Sequence, residues 1–284
     1  MIKSEDMRNT VDQKEIQAFS KDAAHWWDQD GPFKPLHRLN PVRLTYIKEQ
    51  ICVHYGRDAL SLKPLTGLDI LDIGCGGGLV CEPMARLGGA VTGADADTKA
   101  IEVAIEHAKQ SGLEIRYLNE SSEDLIGRHP DLAKRAEGSD VRKSDPSTTL
   151  SNESSAQDDV HKFDVVLALE IIEHVSDPAG FVQNCAALCK DGGLVIFSTL
   201  NRTPKSYALG IVAAEYILRW VPQGTHSWKK FIKPSELARH AREAGISPQQ
   251  VQGLIFNPLK NEFAMSKTDM DVNYFMVCEK PIAK

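Results

Sequence analysis

The sequence predicts an α/β fold: a mostly parallel sheet of seven strands with helices on both faces. Three observations predict it. Short apolar runs alternate with helical patterns from Leu68 onward. A glycine-rich turn joins the first run to the first of those helices. A late pair of strand-like runs follows once the alternation has ended.

Taken in order, the strand-like runs lie at 68–73, 90–95, 114–118, 163–169 and 193–198, with helical patterns at 79–88, 98–111 and 178–190. Alternation of this kind builds βαβ units, whose parallel sheet is buried on both faces. A long helical stretch from Ser206 to Trp220 comes next, and Pro234-Ser235-Glu236-Leu237 opens another helix that ends near Gly245. Strand candidates at about 250–256 and 272–279 bring the sheet to seven and finish it with a hairpin. Residues 1–60 read as an N-terminal helical cap and 61–284 as the main domain. Residues 127–160 break the rhythm: seven of 34 are apolar and none is aromatic. Such a segment buries too little apolar surface to offset chain entropy. It is expected to be a disordered surface insertion between the third and fourth strands.

Composition excludes several classes. The net charge of −6 and pI of about 5.9 do not favour a nucleic-acid partner. Six scattered cysteines show no zinc spacing, which fits reduced thiols in a cytosolic compartment. The first residues, MIKSEDMRNTVDQKEI, resemble neither a signal peptide nor a transit peptide, so a cytoplasmic protein is expected. No uncharged apolar run is long enough to span a bilayer.

The chemistry begins at Leu71-Asp72-Ile73-Gly74-Cys75-Gly76-Gly77-Gly78. Glycines at a strand-to-helix turn let a ligand approach the backbone closely, at the sheet edge where α/β folds bind nucleotide-like molecules. The dinucleotide pattern GxGxxG fails here, because its third glycine position is Leu79. Asp72 would repel a pyrophosphate but suits an ammonium or sulfonium centre. Asp95, at the end of the second strand, either accepts hydrogen bonds from ribose hydroxyls or caps the helix from Thr98. In the cap, Trp26, Trp27, Phe33, His37, Asn40 and Arg43 form an unusual cluster. It is either a packed appendage or a lid whose Arg43 reaches a ligand carboxylate.

The glycine motif, with Asp95 and Phe163-Asp164-Val165-Val166, resembles a class I S-adenosylmethionine-dependent methyltransferase, which implies a Rossmann-like fold. Several further segments narrow this to the ubiquinone-biosynthesis O-methyltransferase family. They are Phe33 to Arg43, Glu170-Ile171-Ile172-Glu173-His174-Val175, Phe197 to Arg202 and Ala214 to Arg219. Val221 to His226, Lys230 to Pro234 and Asp271 to Tyr274 continue the pattern. The resemblance spans nearly the whole chain apart from the insertion and the extreme ends. It implies O-methylation of polyprenylated catechol precursors of ubiquinone, with residues 61–284 as the methyltransferase domain. Arg43, Gly74, Asp95 and Leu169 would contact the methyl donor, alongside Asp72 and Gly76 of the turn. Leu169 stands where bacterial relatives often carry methionine, and an apolar contact survives that change.

Glu170, Glu173 and His174 follow the fourth strand. Their spacing places them on one face if the chain turns helical there. A phenol with a pKa of about 10 must lose its proton as it attacks. A hard cation such as Mg²⁺ on these three residues is one route, supported by the resemblance. His174 as general base is another. A pocket-lining role without metal is the third.

From Arg202 to Lys233 there are six Lys/Arg residues and one acid, Glu215. Apolar residues and Trp220 among these charges fit a helix lying on an anionic membrane surface, where a polyprenyl substrate resides. The plainer reading is a helical lid, inserted after the fifth strand and packed on its own sheet. The expected location is therefore cytoplasmic and peripheral at the inner face of the membrane, or on the matrix side in a mitochondrion. Other ubiquinone-biosynthesis proteins are expected partners. Two competing functions are methylation of another small phenol and a non-catalytic donor-binding subunit of a biosynthetic complex.

Overall fold

In the computed structural model the chain is described at residues 10–127, 162–208, 228–257, 260 and 262–282. Eight strands form one sheet: β1 (Asp69–Ile73), β2 (Ala90–Ala94), β3 (Arg116–Leu118), β4 (Phe163–Leu169), β5 (Cys189–Leu200), β6 (Ser247–Asn257), β7 (Glu262–Ser266) and β8 (Asn273–Glu279). Their spatial order is β3-β2-β1-β4-β5-β8-β6-β7. Strands β1 to β5 run parallel. Strand β8 enters antiparallel between β5 and β6, and β7 pairs antiparallel with β6 at the edge.

The expectation of seven strands is corrected to eight. Strand β7, Glu-Phe-Ala-Met-Ser, is an edge strand with no fully buried residue. Only Phe263 and Met265 turn toward the core from it, and two half-buried apolar side chains in five residues make too short a pattern to mark a strand. The hairpin partner of β6 is therefore β7, while β8 returns to the sheet interior.

Helices α1 (Gln13–Ser20) and α2 (Lys34–His54) precede the sheet. Helices α3 (Cys81–Arg86), α4 (Thr98–Gln110), α5 (Ser122–Gly127), α6 (Pro178–Leu188) and α7 (Pro234–Glu243) are interleaved with the strands. Side chains alternate across β4, and the alternation separates two cores. Val165, Leu167 and Leu169 face Tyr46, Ile47 and Ile51 of α2, with Met84 of α3 and Ile101 of α4. Val166 and Ala168 face Leu125 of α5, Phe181, Val182 and Cys185 of α6, and Leu237 and Ala241 of α7. Both faces are thus covered, as the near-continuous apolar character of Phe163–Leu169 requires.

The strand order reverses at β1, whose neighbours are β2 and β4. A crevice opens at the carboxyl end of such a switch point. Gly74 follows β1 there and Glu170 follows β4. Most of the stretch 206–220 and nearly all of 127–160 lie outside the described residues, with the expectations attached to them. Among the described residues no helix is long and apolar enough to cross a membrane.

Candidate active site

The turn after β1 works because three of its glycines take left-handed backbone: Gly74 at φ 75°, Gly76 at 51° and Gly78 at 86°. Gly74 and Cys75 both donate their N–H to Ala94 O, at 2.8 and 3.1 Å, which closes the turn against β2. Gly76 N–H donates to Asp95 Oδ2 at 2.8 Å, and Asp97 N–H to Asp95 Oδ1 at 2.8 Å. Asp95 therefore fastens the end of β2 to the glycine turn. It does not cap α4. Asp97 does, accepting from Lys99 N–H at 3.1 Å. Burial raises the Asp95 carboxyl above its ordinary range, against the pull of its two backbone donors. Each carboxylate oxygen has a second lone pair, so room for hydroxyl donors remains.

Asp72 is buried on β1, where its Oδ2 accepts from Cys81 Sγ at 3.3 Å. Loss of water pushes its carboxyl up to about 7, with the Arg43 charge opposing. Arg43 is buried as well, and its Nε and Nη2 donate to Asn40 Oδ1 at 3.0 and 2.7 Å. Asn40 Nδ2 in turn donates to Leu79 O at 2.9 Å, tying α2 to the turn. Burial lowers the Arg43 pKa, while Glu170 and Asp72 raise it. One guanidinium thus stands in the field of a carboxylate from each side of the crevice.

The cap meets the same turn through aromatic rings. An added Cβ on Gly76 would lie 2.5 Å from Trp26 Cη2, and one on Gly77 2.5 Å from Trp26 Cβ. Trp26 stacks on Phe33 with centroids 3.8 Å apart, and its Nε1 is buried without a partner. Trp27 donates its Nε1–H to Gly77 O at 2.9 Å and stacks on His107 at 3.5 Å.

Across the crevice, Leu169 ends β4 as a buried side chain. Glu170 follows at φ 54°, the one positive φ outside glycine among the described residues. Left-handed backbone costs a non-glycine residue about 1–2 kcal/mol, and strain of this kind gathers at functional sites. Hydrogen bonds hold Glu170 in place: its Oε1 accepts from Ser198 Oγ at 2.9 Å, and Asn273 Nδ2 donates to both oxygens at 3.2 and 3.3 Å. Glu173 is buried on the single 3-10 turn Ile172–His174, and its Oε2 accepts from Thr199 Oγ1 at 2.8 Å. Burial, then the charge of Glu170, pushes the Glu173 carboxyl up to about 7.

His174 turns toward the cap, with Nδ1 3.1 Å from Glu15 Oε2. Burial alone would lower its pKa, but the Glu15 hydrogen bond and the Glu173 charge leave it raised. Glu15 is held at about 2, first by the His174 hydrogen bond and then, against the cost of burial, by Lys230.

The expected helical face is corrected. The left-handed Glu170 ends the strand abruptly, and three residues of 3-10 turn do not continue it as an α-helix. The charges of Glu170 and His174 both act on Glu173, while the His174 ring itself turns to Glu15 of α1. Among the described residues no three of His, Cys, Asp and Glu gather as a group able to hold a metal ion.

Sequence reasoning singled out Arg43, Asp72, Gly74, Gly76, Asp95, Leu169, Glu170, Glu173 and His174. Gly76 and Asp95 meet at the turn after β1, Arg43 stands in the field of Asp72 and Glu170, and Leu169, Glu170 and Glu173 follow one another at the end of β4, while His174 turns to Glu15. Sequence reasoning missed Glu15, which nothing near His174 in sequence announces. It quoted Trp26, Asn40, Ser198, Thr199 and Asn273 within motifs without giving them these contacts.

Residues 46–251 match the family model described as a methyltransferase domain. Over 277 residues the chain is 44% identical to the ubiquinone biosynthesis O-methyltransferase of Chelativorans sp. (strain BNC1), covering 98% of this chain and 97% of that protein. The protein of the same name from Bartonella bacilliformis is 46% identical over 273 residues, covering 96% and 97%. The fold is shared with magnesium protoporphyrin IX methyltransferase from Synechocystis PCC 6803 with bound SAH, at TM-score 0.56 and 16% identity over 93% of this chain and 94% of that one. It is shared also with the 1,6-didemethyltoxoflavin-N1-methyltransferase of Burkholderia thailandensis, at TM-score 0.53 and 14% identity over 96% and 92%. With a methyltransferase model over most of its length and full-length relatives at 44–46% identity, the chain belongs to the ubiquinone biosynthesis O-methyltransferase family.

Proposed function

We propose that the protein transfers the S-methyl group of S-adenosylmethionine to a phenolic oxygen of polyprenylated precursors of ubiquinone, of the demethylubiquinol and 2-polyprenyl-6-hydroxyphenol type. The observation that carries this reading is the near full-length likeness to relatives of that name. The crevice geometry supports it. Asp95 would take the ribose hydroxyls, and Gly74 and Gly76 would let the donor approach the backbone. Asp72 supplies negative charge for the cationic part of the donor. Leu169 gives apolar contact, Arg43 faces the donor carboxylate, and residues 1–60 serve as a cap over the turn. The phenolic oxygen attacks the methyl carbon, and the C–S bond breaks. Its electron pair stays on sulfur, leaving a neutral thioether.

The phenol proton must leave as well. Glu170, Glu173 and His174 line the acceptor side, and His174 is the group suited to accept it. A second route has a divalent cation such as Mg²⁺ on the same side chains, where it would lower the catechol pKa. The mutual repulsion of Glu170 and Glu173 favours a cation between them. Against it, each of the three already has a protein partner, and they do not converge as a metal group. No step is therefore routed through a metal.

Mixing the protein with methyl-labelled donor and a short-chain polyprenyl catechol tests the function. Labelled methyl ether supports it, and no labelled product refutes it. Repeating the assay in excess chelator separates the routes. Undiminished activity assigns the proton to the protein, and loss restored by Mg²⁺ assigns it to a metal-bound catechol.

The segment 202–233 is proposed as the membrane-facing part. Each basic residue near an anionic surface contributes about 1 kcal/mol. Three of its six are already paired within the fold: Arg202 with Glu236, Lys205 with Asp269, and Lys230 with Asp12 and Glu15. The attraction is thus smaller than the charge count alone suggests. Salt-sensitive co-sedimentation with anionic liposomes supports a membrane role, and absence of binding at low salt removes it.

A further inference from the structure

We infer that Glu15 is a positioning residue of the acceptor site, holding the His174 ring from a helix 159 positions away in the chain. The inference rests on the reading above that His174 serves that site. His174 is nine-tenths buried, and its Nδ1 lies 3.1 Å from Glu15 Oε2. The other oxygen, Oε1, accepts from Lys230 Nζ at 2.7 Å, and Lys230 also reaches Asp12 Oδ2 at 3.0 Å. With one oxygen pinned by an ammonium, the carboxylate cannot rotate away from the imidazole.

The segment leading into α1 is tacked down beside the same turn. Ser176 N–H donates to Thr10 O at 2.8 Å, and Thr10 N–H donates to Glu123 Oε1 at 2.6 Å. Thr10 is itself buried. The N-terminal segment therefore docks beside His174 at Ser176 and on α5 at Glu123, and Glu15 is delivered to Nδ1 by a built contact.

The chemical consequence concerns the two ring nitrogens. An ionised carboxylate accepts and never donates, so Nδ1 must carry the proton of this bond. Nε2 is then the nitrogen whose lone pair serves the site. A partner of this kind sets ring orientation as well as tautomer, and for metal-bound histidines its loss typically costs about 10–100-fold in metal affinity or activity.

The experiment compares wild type, Glu15→Ala and Glu15→Gln in three measurements: kcat and KM for a short-chain polyprenyl catechol, the Kd for S-adenosylmethionine, and the ring ¹⁵N spectrum of His174. Glu15→Ala should lower kcat about 10–100-fold while the donor Kd stays within about twofold. Glu15→Gln keeps an accepting oxygen and should recover most of that loss. In the spectrum, wild-type His174 should show a protonated Nδ1, and Glu15→Ala should shift it toward the Nε2–H form. The inference is overturned if the ring spectrum is unchanged in Glu15→Ala, if kcat falls less than about twofold, or if Gln rescues no better than Ala. Should wild type yield no methylated catechol, the proposed function fails instead, and the ring spectrum still decides the role of Glu15.

Discussion

Substituting Gly76 by alanine tests whether the glycine turn is shaped by backbone conformation, by the Trp26 ring, or by both. Two costs are expected. At φ 51° a side chain brings the penalty of left-handed backbone, about 1–2 kcal/mol. The new Cβ would also lie 2.5 Å from Trp26 Cη2, an overlap whose relief costs about 1–3 kcal/mol by analogy with overpacked cores. Gly76→Ala should therefore lose about 2–5 kcal/mol in equilibrium urea unfolding without donor. Repeating the substitution in a Trp26→Leu background removes the ring but leaves φ unchanged. The cost should then fall to about 1–2 kcal/mol, a coupling of about 1–3 kcal/mol between the two sites. Equal costs in the two backgrounds would refute the steric contribution. A cost under about 0.5 kcal/mol in wild type would refute the conformational one as well.

Asp95→Asn should weaken donor binding at least about tenfold by calorimetry, because a charge-assisted hydrogen bond is worth about 1.5–3 kcal/mol and Asn offers one accepting oxygen where Asp95 uses two. Donor affinity should rise with pH through about 7 as Asp72 ionises, and the slope should vanish in Asp72→Asn. Glu15, depressed from 4.5 to about 2, should add stability that is fully present above pH 4.5 and is lost as the pH falls toward 2. Urea midpoints between pH 6 and pH 3 should drop less in Glu15→Gln than in wild type, and parallel curves would refute the linkage.

What the sequence announces here is what repeats locally. The near-continuous apolar run of β4 and the glycines after β1 each carry their cause within a few residues, so the sheet and the turn were legible. Strand β7 was not, because five residues with only Phe263 and Met265 turned to the core give too short a pattern. Glu15 was hidden for a different reason. Its meaning depends on His174 and Lys230, which only the tertiary fold brings to it. Asp95 shows an intermediate case: its position was plain, but only coordinates separate the residue that fastens the turn from Asp97, which caps the helix.

The path of β8 bears on when the acceptor site can exist. That strand is threaded between β5 and β6 after both have been made, and it brings Asn273 to Glu170 across 103 residues. Tyr274, on the same strand, is fully buried and donates its hydroxyl to Ile232 O at 3.0 Å. A ribosome-bound chain that has completed the glycine turn, its Asp95 anchor and β4 as far as Leu169 already owns the parts for donor recognition. It cannot yet hold its strained glutamate. Pairings of such sequence separation also form late in folding, since their loops must close first. Translation and folding thus impose the same order, in which the half that recognises the donor matures before the half that accepts the methyl group.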